Sequence, residues 1–276
     1  KTANALGIAG SNSSGLLEFS LDGSMIKRLH MGRATQMGME SALLAQKGFT
    51  GPHTILEGTK GFLNVFSPDP HPERLLENLG QHYLMQTAPQ IKSYPCHIRA
   101  HPFVDALVRF KNQHPFKPGQ VQSIKIFVNA QHAQKHGRKE PETLLDAQYS
   151  IPFSIAVALW RDLSYPLAFA DGIEKDRSIR KTASEIDIEL LDAASGQTNP
   201  AIILNVDGMS TQLDCSDFKG SSTDPYSFDD LAAKFRRYSA ACLEESTSEK
   251  VIALISALEA VPDMAGLGTL LDLKDN

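Results

Sequence analysis

The sequence predicts an α+β protein in which a helical domain is interrupted by a mixed module. Three observations carry that reading. Apolar residues recur at helical spacing in the first third of the chain. The period then switches to two over Val121–Val128 and again over residues 186–190. Helical spacing returns after Pro225. The expected boundaries are a first helical part over residues 1–93, an α+β module over 94–223 and a closing helical part over 224–276.

From Ala3 to Phe19 the chain is rich in Gly, Ser and Ala, a composition that lets backbones approach closely, as in a buried helix pair, but weakens helix propensity. Leu21-Asp22-Gly23-Ser24 is a turn signal. Ala34, Met37, Ser41, Leu44 and Ala45 predict a helix over Met31 to Lys47, with Gly48 at its C′ position. Short helices are expected over Thr54–Gly58, after Gly51-Pro52, and over Pro72–Leu79, closed by Gly80.

Pro102 to His114 opens with proline in the first turn and places Phe103, Leu107 and Phe110 on one face. Val121 to Val128 alternates as a strand. Pro141 to Asp162 reads as helix broken at Pro152, which lacks an amide donor. Ile186, Ile188 and Leu190 alternate with Asp187 and Glu189 as a half-buried strand. Ala201–Val206 and Thr211–Cys215 flank Asp207-Gly208 as a hairpin. Ser227 caps a helix with Asp229 and Asp230 in its first turn, and Leu231, Phe235 and Tyr238 line its face. Val251, Ile252, Ile255 and Leu258 line a last helix that ends at Pro262.

Composition narrows the function. Of 276 residues 42% are apolar, enough for a core without disulfide or metal staples. Lys plus Arg is 27 and Asp plus Glu 32, a net charge of −5 without a large single-sign block, which argues against nucleic-acid and anionic-membrane partners. No run of 18 apolar residues offers a membrane span. Cys96, Cys215 and Cys242 are isolated, which fits a reducing compartment: the cytoplasm, or the mitochondrial matrix in a eukaryote. The opening Lys-Thr-Ala-Asn has no Met and no signal-peptide pattern, so a processed, truncated or split product is expected.

Three clusters could carry chemistry. Lys27-Arg28-Leu29-His30-Met31-Gly32-Arg33 gathers cations just before the expected helix, where they and the helix amides would suit a carboxylate or phosphate; a solvated basic turn is the plain alternative. Tyr94-Pro95-Cys96-His97-Ile98-Arg99-Ala100-His101-Pro102 spaces histidines four apart. The bracketing prolines oppose a continuous helix and no third ligand is evident, so a packing or catalytic histidine is favoured over a metal. Val128-Asn129-Ala130-Gln131-His132-Ala133-Gln134-Lys135-His136 follows a strand and, taken alone, reads as an exposed loop. Gly58, Lys60 and Gly61 are too weak a pattern for a nucleotide site, and the scattered cysteines exclude a Cys-ligated iron–sulfur cluster.

Taken together, Asn4–Ser11, Gly15–Phe19, Asp22-Gly23, the Lys27–Ala34 run, Leu43–Pro52, Leu56-Glu57-Gly58 with Gly61-Phe62, and Tyr94-Pro95-Cys96-His97 resemble the MmgE/PrpD family along essentially the whole chain. That family includes 2-methylcitrate dehydratase, cis-aconitate decarboxylase and iminodisuccinate epimerase. The resemblance implies a helical domain, incomplete at its N-terminus, interrupted by an α+β lid, usually in a homodimer with the active site between the domains. It implies Lys27 and His97 as catalytic residues. His132 falls near a position where a relative carries a polar aromatic, and His30, Arg33 and His132 are expected to bind substrate. The resemblance also implies an upstream third, expected to lie outside this sequence, that supplies an acidic residue and further histidines.

The expected activity is therefore a lyase needing no metal or other cofactor. It would act on a small di- or tricarboxylate, eliminating water from a 2-methylcitrate-like substrate by proton abstraction beside a carboxylate. Decarboxylation or epimerisation would use the same lysine and histidine. A non-catalytic remnant, or one subunit of a split enzyme with a companion chain, is the alternative from a different class.

Overall fold

A computed structural model of the chain describes residues 1–19, 24–87, 89–170, 172–192 and 196–271. The turn read at Leu21-Asp22-Gly23 lies outside the described residues. The fold is α+β, about half helical with one small mixed sheet. The chain divides into two units, Lys1–Thr87 and Ala88–Asn276.

In the first unit, α1 (Thr2–Ser11) carries Gly7 where another backbone comes close and Gly10 against the Ile55 side chain. A Cβ on Gly7 would lie 2.5 Å from the Pro52 carbonyl oxygen, and one on Gly51 would lie 2.5 Å from that of Asn4. The close approach expected of a helix pair is thus made between α1 and the Gly51-Pro52 loop. The helix α2 (Ile26–Gln46) starts five residues ahead of the Met31 expected from apolar spacing. Lys27, Arg28, Leu29 and Met31 are good helix formers, and propensity extends the helix beyond its apolar stripe. Gly48 follows at φ +96°. Residues 54–58 are turns rather than the expected helix, with one amide-to-carbonyl bond from Gly58 to Thr54 at 2.8 Å. The helix forms later, as α3 (Phe62–Phe66). Pro72–Leu76 is a 3-10 turn, and α4 spans Leu84–Thr87.

The second unit holds a sheet of order β2-β1-β3-β4. β1 (Val121–Val128) pairs parallel with β2 (Asp187–Leu190) and antiparallel with β3 (Ala201–Val206), which forms a hairpin with β4 (Met209–Asp214). Asp207 and Gly208, at φ +49° and +81°, supply the two left-handed residues that a two-residue hairpin turn needs. The parallel pair requires a long crossover. It runs through α6 (Ala130–His136), α7 (Leu144–Tyr149), α8 (Ile151–Trp160) and α9 (Arg177–Glu185), while α5 (His101–Gln113) precedes the sheet.

Ile124, Ile126, Ile202 and Leu204 from the sheet share a core with Phe103 and Leu107 of α5 and Ile179 of α9. α8 is buried around its whole circumference from Ile151 to Leu159, as its unbroken apolar run requires. The break in the long helix falls at Ser150, not Pro152. Ser150 caps α8, and Pro152 sits in the first turn, where a missing amide costs nothing. α10 (Phe228–Ser239) starts in a capping box of Ser227 and Asp230 and meets α11 (Glu245–Ser256) at a buried Ser239–Ser248 hydroxyl pair, 2.9 Å apart. A last short helix, α12, spans Ala265–Leu270. Among the described residues no helix is long and apolar enough to cross a membrane.

Candidate functional site

Five residues were expected at a site, and they fall in both units. Lys27, His30 and Arg33 ride on the first turns of α2 rather than ahead of it. Spacings of three residues keep them within about a third of the helix circumference. His30 packs edge-on against Phe19 at 5.4 Å, and Arg33 donates to Gln36 at 2.9 Å. Cations here run against the helix dipole, which favours carboxylates at this end. The helix has neither an acidic residue in its first turn nor a side-chain cap.

In the second unit, the segment Tyr94–His101 is pinned from beneath. Tyr94 donates its hydroxyl to Asp105 at 2.8 Å, and burial beside that carboxylate holds the phenol far above its ordinary range. Asp105 also takes the Lys219 amide at 3.3 Å and Arg109 at 3.1 Å. His101 has no exposed surface. Its Nε2 accepts from the Tyr94 amide at 3.3 Å, and its Nδ1 donates to the His97 carbonyl at 3.1 Å, which fixes the tautomer. Burial drives its pKa down to about 4. His101 is thus a neutral strut under His97. Cys96 beside it is pushed up to about 12 by burial, so it remains a thiol.

His97 emerges from this platform as the cap of a short 3-10 turn, its Nδ1 accepting from the Arg99 amide at 3.3 Å. Neutral His97 therefore carries its proton on Nε2. Its ring stacks on that of His136 at 4.3 Å and lies 4.6 Å from that of Tyr149. His136 closes α6 and donates from Nδ1 to the Tyr149 carbonyl at 3.1 Å, which leaves the lone pair on Nε2. His132, one turn earlier, sits 6.1 Å from His136 between ring centres. Its Nδ1 accepts from the Asn129 amide group at 3.2 Å, so its proton is also on Nε2, while Asn129 caps the helix through the His132 amide at 2.8 Å.

Burial, and the positive charge of Arg99, lower the pKa values of both His132 and His136; Lys135 and the mutual proximity of the two rings add to the effect at His136. His132 and His136 are thus biased toward the neutral imidazole beside a guanidinium. Among the described residues no group of three or more His, Cys, Asp or Glu side chains is arranged to hold a metal ion.

Two expected residues from separate sequence clusters, His97 and His132, are therefore brought together, and the side chain between them is His136. His136 and Arg99 lie in those two sequence clusters, but nothing in the sequence there singles them out. The available signal was Asn129 as a helix cap after a strand, which would have put His132 and His136 four apart on one helical face. His97 and His101, the pair with metal-like spacing, play separate parts: one caps a turn above the platform and the other is sealed inside it.

Residues 94–260 match the MmgE/PrpD C-terminal domain, and residues 1–75 the MmgE/PrpD N-terminal domain. The chain is 26% identical over 255 residues to cis-aconitate decarboxylase of Homo sapiens, covering 89% of this chain and 52% of that protein. It is 26% identical over 262 residues to cis-aconitate decarboxylase of Mus musculus, with the same shares of 89% and 52%. It is 29% identical over 133 residues to the cis-aconitate decarboxylase-like protein oryM of Aspergillus oryzae, covering 45% of this chain and 27% of that one. The chain spans about half the length of the first two of these curated relatives.

Proposed function

Because the chain belongs to the MmgE/PrpD family, we propose that it serves a lyase acting on a small di- or tricarboxylate, with elimination of water from a 2-methylcitrate-like substrate as the first reading. The observation that carries it is the stack of His97 on His136 beside Arg99: paired imidazoles, His136 among them held toward its neutral form, next to a fixed cation. Such an array suits an anionic substrate that must exchange protons near neutral pH. In this reading Lys27 and Arg33 hold carboxylates, His30 and His132 help to bind the substrate, and His97 transfers the proton. The Nε2–H tautomer suits His97 to protonating the departing hydroxyl, and the carbon-bound proton passes to a base, a role for which the Nε2 lone pair of His136 is chemically suited. One such acid or base is worth about 10²–10⁴-fold, so electrostatic positioning supplies the rest.

Decarboxylation is the second reading, favoured by the names of the relatives in man and mouse. The lid-like role of the α+β module and a homodimer belong to the same proposal. The exposed Leu29, Met31, Met39 and Leu43 of α2 support a covering chain, either a second copy or a companion.

Turnover of 2-methylcitrate, cis-aconitate and iminodisuccinate by the purified protein separates the readings. Product from 2-methylcitrate alone is expected, and its absence ends the first choice. Lys27→Ala should lower turnover by about a hundredfold or more while leaving the melting temperature in place. Equal loss of both would make the lysine structural. Light scattering at micromolar concentration should give a mass above that of one chain; a monomer would remove the homodimer.

A further inference from the structure

Gly58, Thr59, Lys60 and Gly61 form a tight turn in the first unit, and its geometry adds what their sequence pattern lacks. The Gly58 amide donates to the Thr54 carbonyl at 2.8 Å, and the Gly61 amide to the Gly58 carbonyl at 2.7 Å. A Cβ on Gly58 would lie 2.7 Å from the Thr54 carbonyl oxygen, and one on Gly61 2.8 Å from that of Ile55, so the turn closes only on glycine. Thr59 and Lys60, between the glycines, keep their amides unspent: no acceptor among the described residues takes either one. Adjacent free amides on a turn are donors ready for an anion.

The turn lines a cavity of about 610 Å³, a size that suits a small ligand. Ser11 and Ser13, at the end of α1, line it too. α1 is held against this region at Gly10, where a Cβ would collide with the Ile55 side chain. The lining has two characters. Hydroxyls of Ser13, Thr54 and Thr59 and the Lys60 ammonium make one part polar, while Ile55 and the Phe62, Val65 and Phe66 side chains of α3 make the other apolar. The Phe62 and Phe66 rings lie 4.8 Å apart and are both exposed, an apolar wall left open to solvent. No carboxylate lines the cavity. Lys125 and Lys219 are paired with Glu189 and Asp224, but among the described residues Lys60 has no carboxylate at ion-pair distance.

We propose that this cavity binds an organic phosphate, its phosphate at Thr59, Lys60 and Ser13 and its apolar or aromatic body against Phe62, Val65 and Phe66. A cation, two amides and several hydroxyls offer more donors than the two oxygens of a carboxylate can use. A phosphate monoester brings three acceptor oxygens and a charge of about −1.5 to −2 at pH 7. The apolar wall then separates an ester from the free ion, because only the ester has a body to bury there. The site uses none of the residues given to the lyase reading and stands or falls independently of it.

The test is calorimetric titration of the full 276-residue chain with phenyl phosphate. Inorganic phosphate, which lacks the ring, should bind about tenfold more weakly, and benzoate, with the ring but one charge and two oxygens, about threefold or more weakly. Lys60→Gln should weaken phenyl phosphate by about tenfold, whereas Lys60→Arg, which keeps the charge, should stay within about threefold. Phe66→Ala should bring phenyl phosphate toward inorganic phosphate and leave the latter unchanged. Lys60 and Phe66 are both exposed, so the melting temperature should hold in each variant. Lys250→Gln, at an exposed lysine of α11, should leave binding as it was.

Equal binding of phenyl phosphate and inorganic phosphate would overturn the proposal by removing the apolar wall from the site. Equal binding of benzoate would overturn it by removing the phosphate head. A loss in Lys250→Gln as large as that in Lys60→Gln would reduce the binding to diffuse attraction by surface charge, and no binding at millimolar phenyl phosphate would end the proposal outright.

Discussion

The two units of the chain solve burial differently. Among the described residues of the first, only Ile8, Phe19 and Ala45 are buried apolar side chains, and α2 leaves Leu29, Met31, Met39 and Leu43 exposed. In the second, buried apolar side chains run from Tyr94 to Val251, and one continuous cluster joins the sheet to α5, α8 and α9. Burial at about 25 cal/mol per Å² is the main favourable term in folding, so the second unit carries its own stability. The first has helices without the surface to hold them. The difference also sorts the chemistry. The imidazole cluster rests on a platform fixed by buried hydrogen bonds, whereas Lys27, His30 and Arg33 sit on a helix held mainly at Ser41 and Ala45.

The largest expected effect tests that contrast directly. Phe153, with no exposed surface in α8, should cost about 3–5 kcal/mol when changed to alanine, seen as a lowered urea midpoint. At dilutions where the chain is monomeric, Leu43→Ala in α2 should stay within about 0.5 kcal/mol, because the side chain is 57% exposed. A core-sized loss at Leu43 in the monomer would break the comparison.

A second prediction sharpens it with pH. His101 is held neutral by burial, with a pKa of about 4 against 6.5 for the ordinary side chain. Above pH 6.5 the folded and unfolded states both leave this ring unprotonated. Below it the unfolded chain takes a proton that the folded one refuses, so stability falls until about pH 4. At 1.36 kcal/mol per pKa unit, the loss is about 3 kcal/mol. His101→Gln should flatten that part of the slope, measured as urea midpoints at several pH values. At neutral pH it should lower stability by about 1–3 kcal/mol through poorer bonding to the Tyr94 amide and the His97 carbonyl. An unchanged slope would mean that the ring is not sealed.

How much of this was legible depended on whether a signal was local. β1 follows from its alternation, the β3–β4 hairpin from Asp207-Gly208 and α10 from Ser227 with Asp230, each a pattern complete within a few residues. α6 was invisible to periodicity because the only apolar side chains among its seven residues are the small Ala130 and Ala133; its helicity comes from the Asn129 cap and from burying His136. α9 had a readable cap in Asp176 but only Ile179 and Ala183 as a buried pair, too few to stand out. At the candidate site, His97 and His132 could be named from sequence, yet what joins them is a stack on a histidine 39 positions after His97, and that contact exists only once α6 docks beside Tyr149.

The smallest effect compares one substitution at two helix starts. Ser227 caps α10 by accepting the Asp230 amide at 3.1 Å, while Asp230 returns a bond to the Ser227 amide at 3.0 Å. Ser227→Ala should therefore cost about 1 kcal/mol, read from the same urea midpoints. At the corresponding position of α2, Met25 makes no side-chain cap and is mostly exposed, so Met25→Ala should change stability by less than about 0.5 kcal/mol. If the two alanines cost the same, helix starts in the first unit would be as firmly built as those in the second, and its stability could not then be laid to a missing cover.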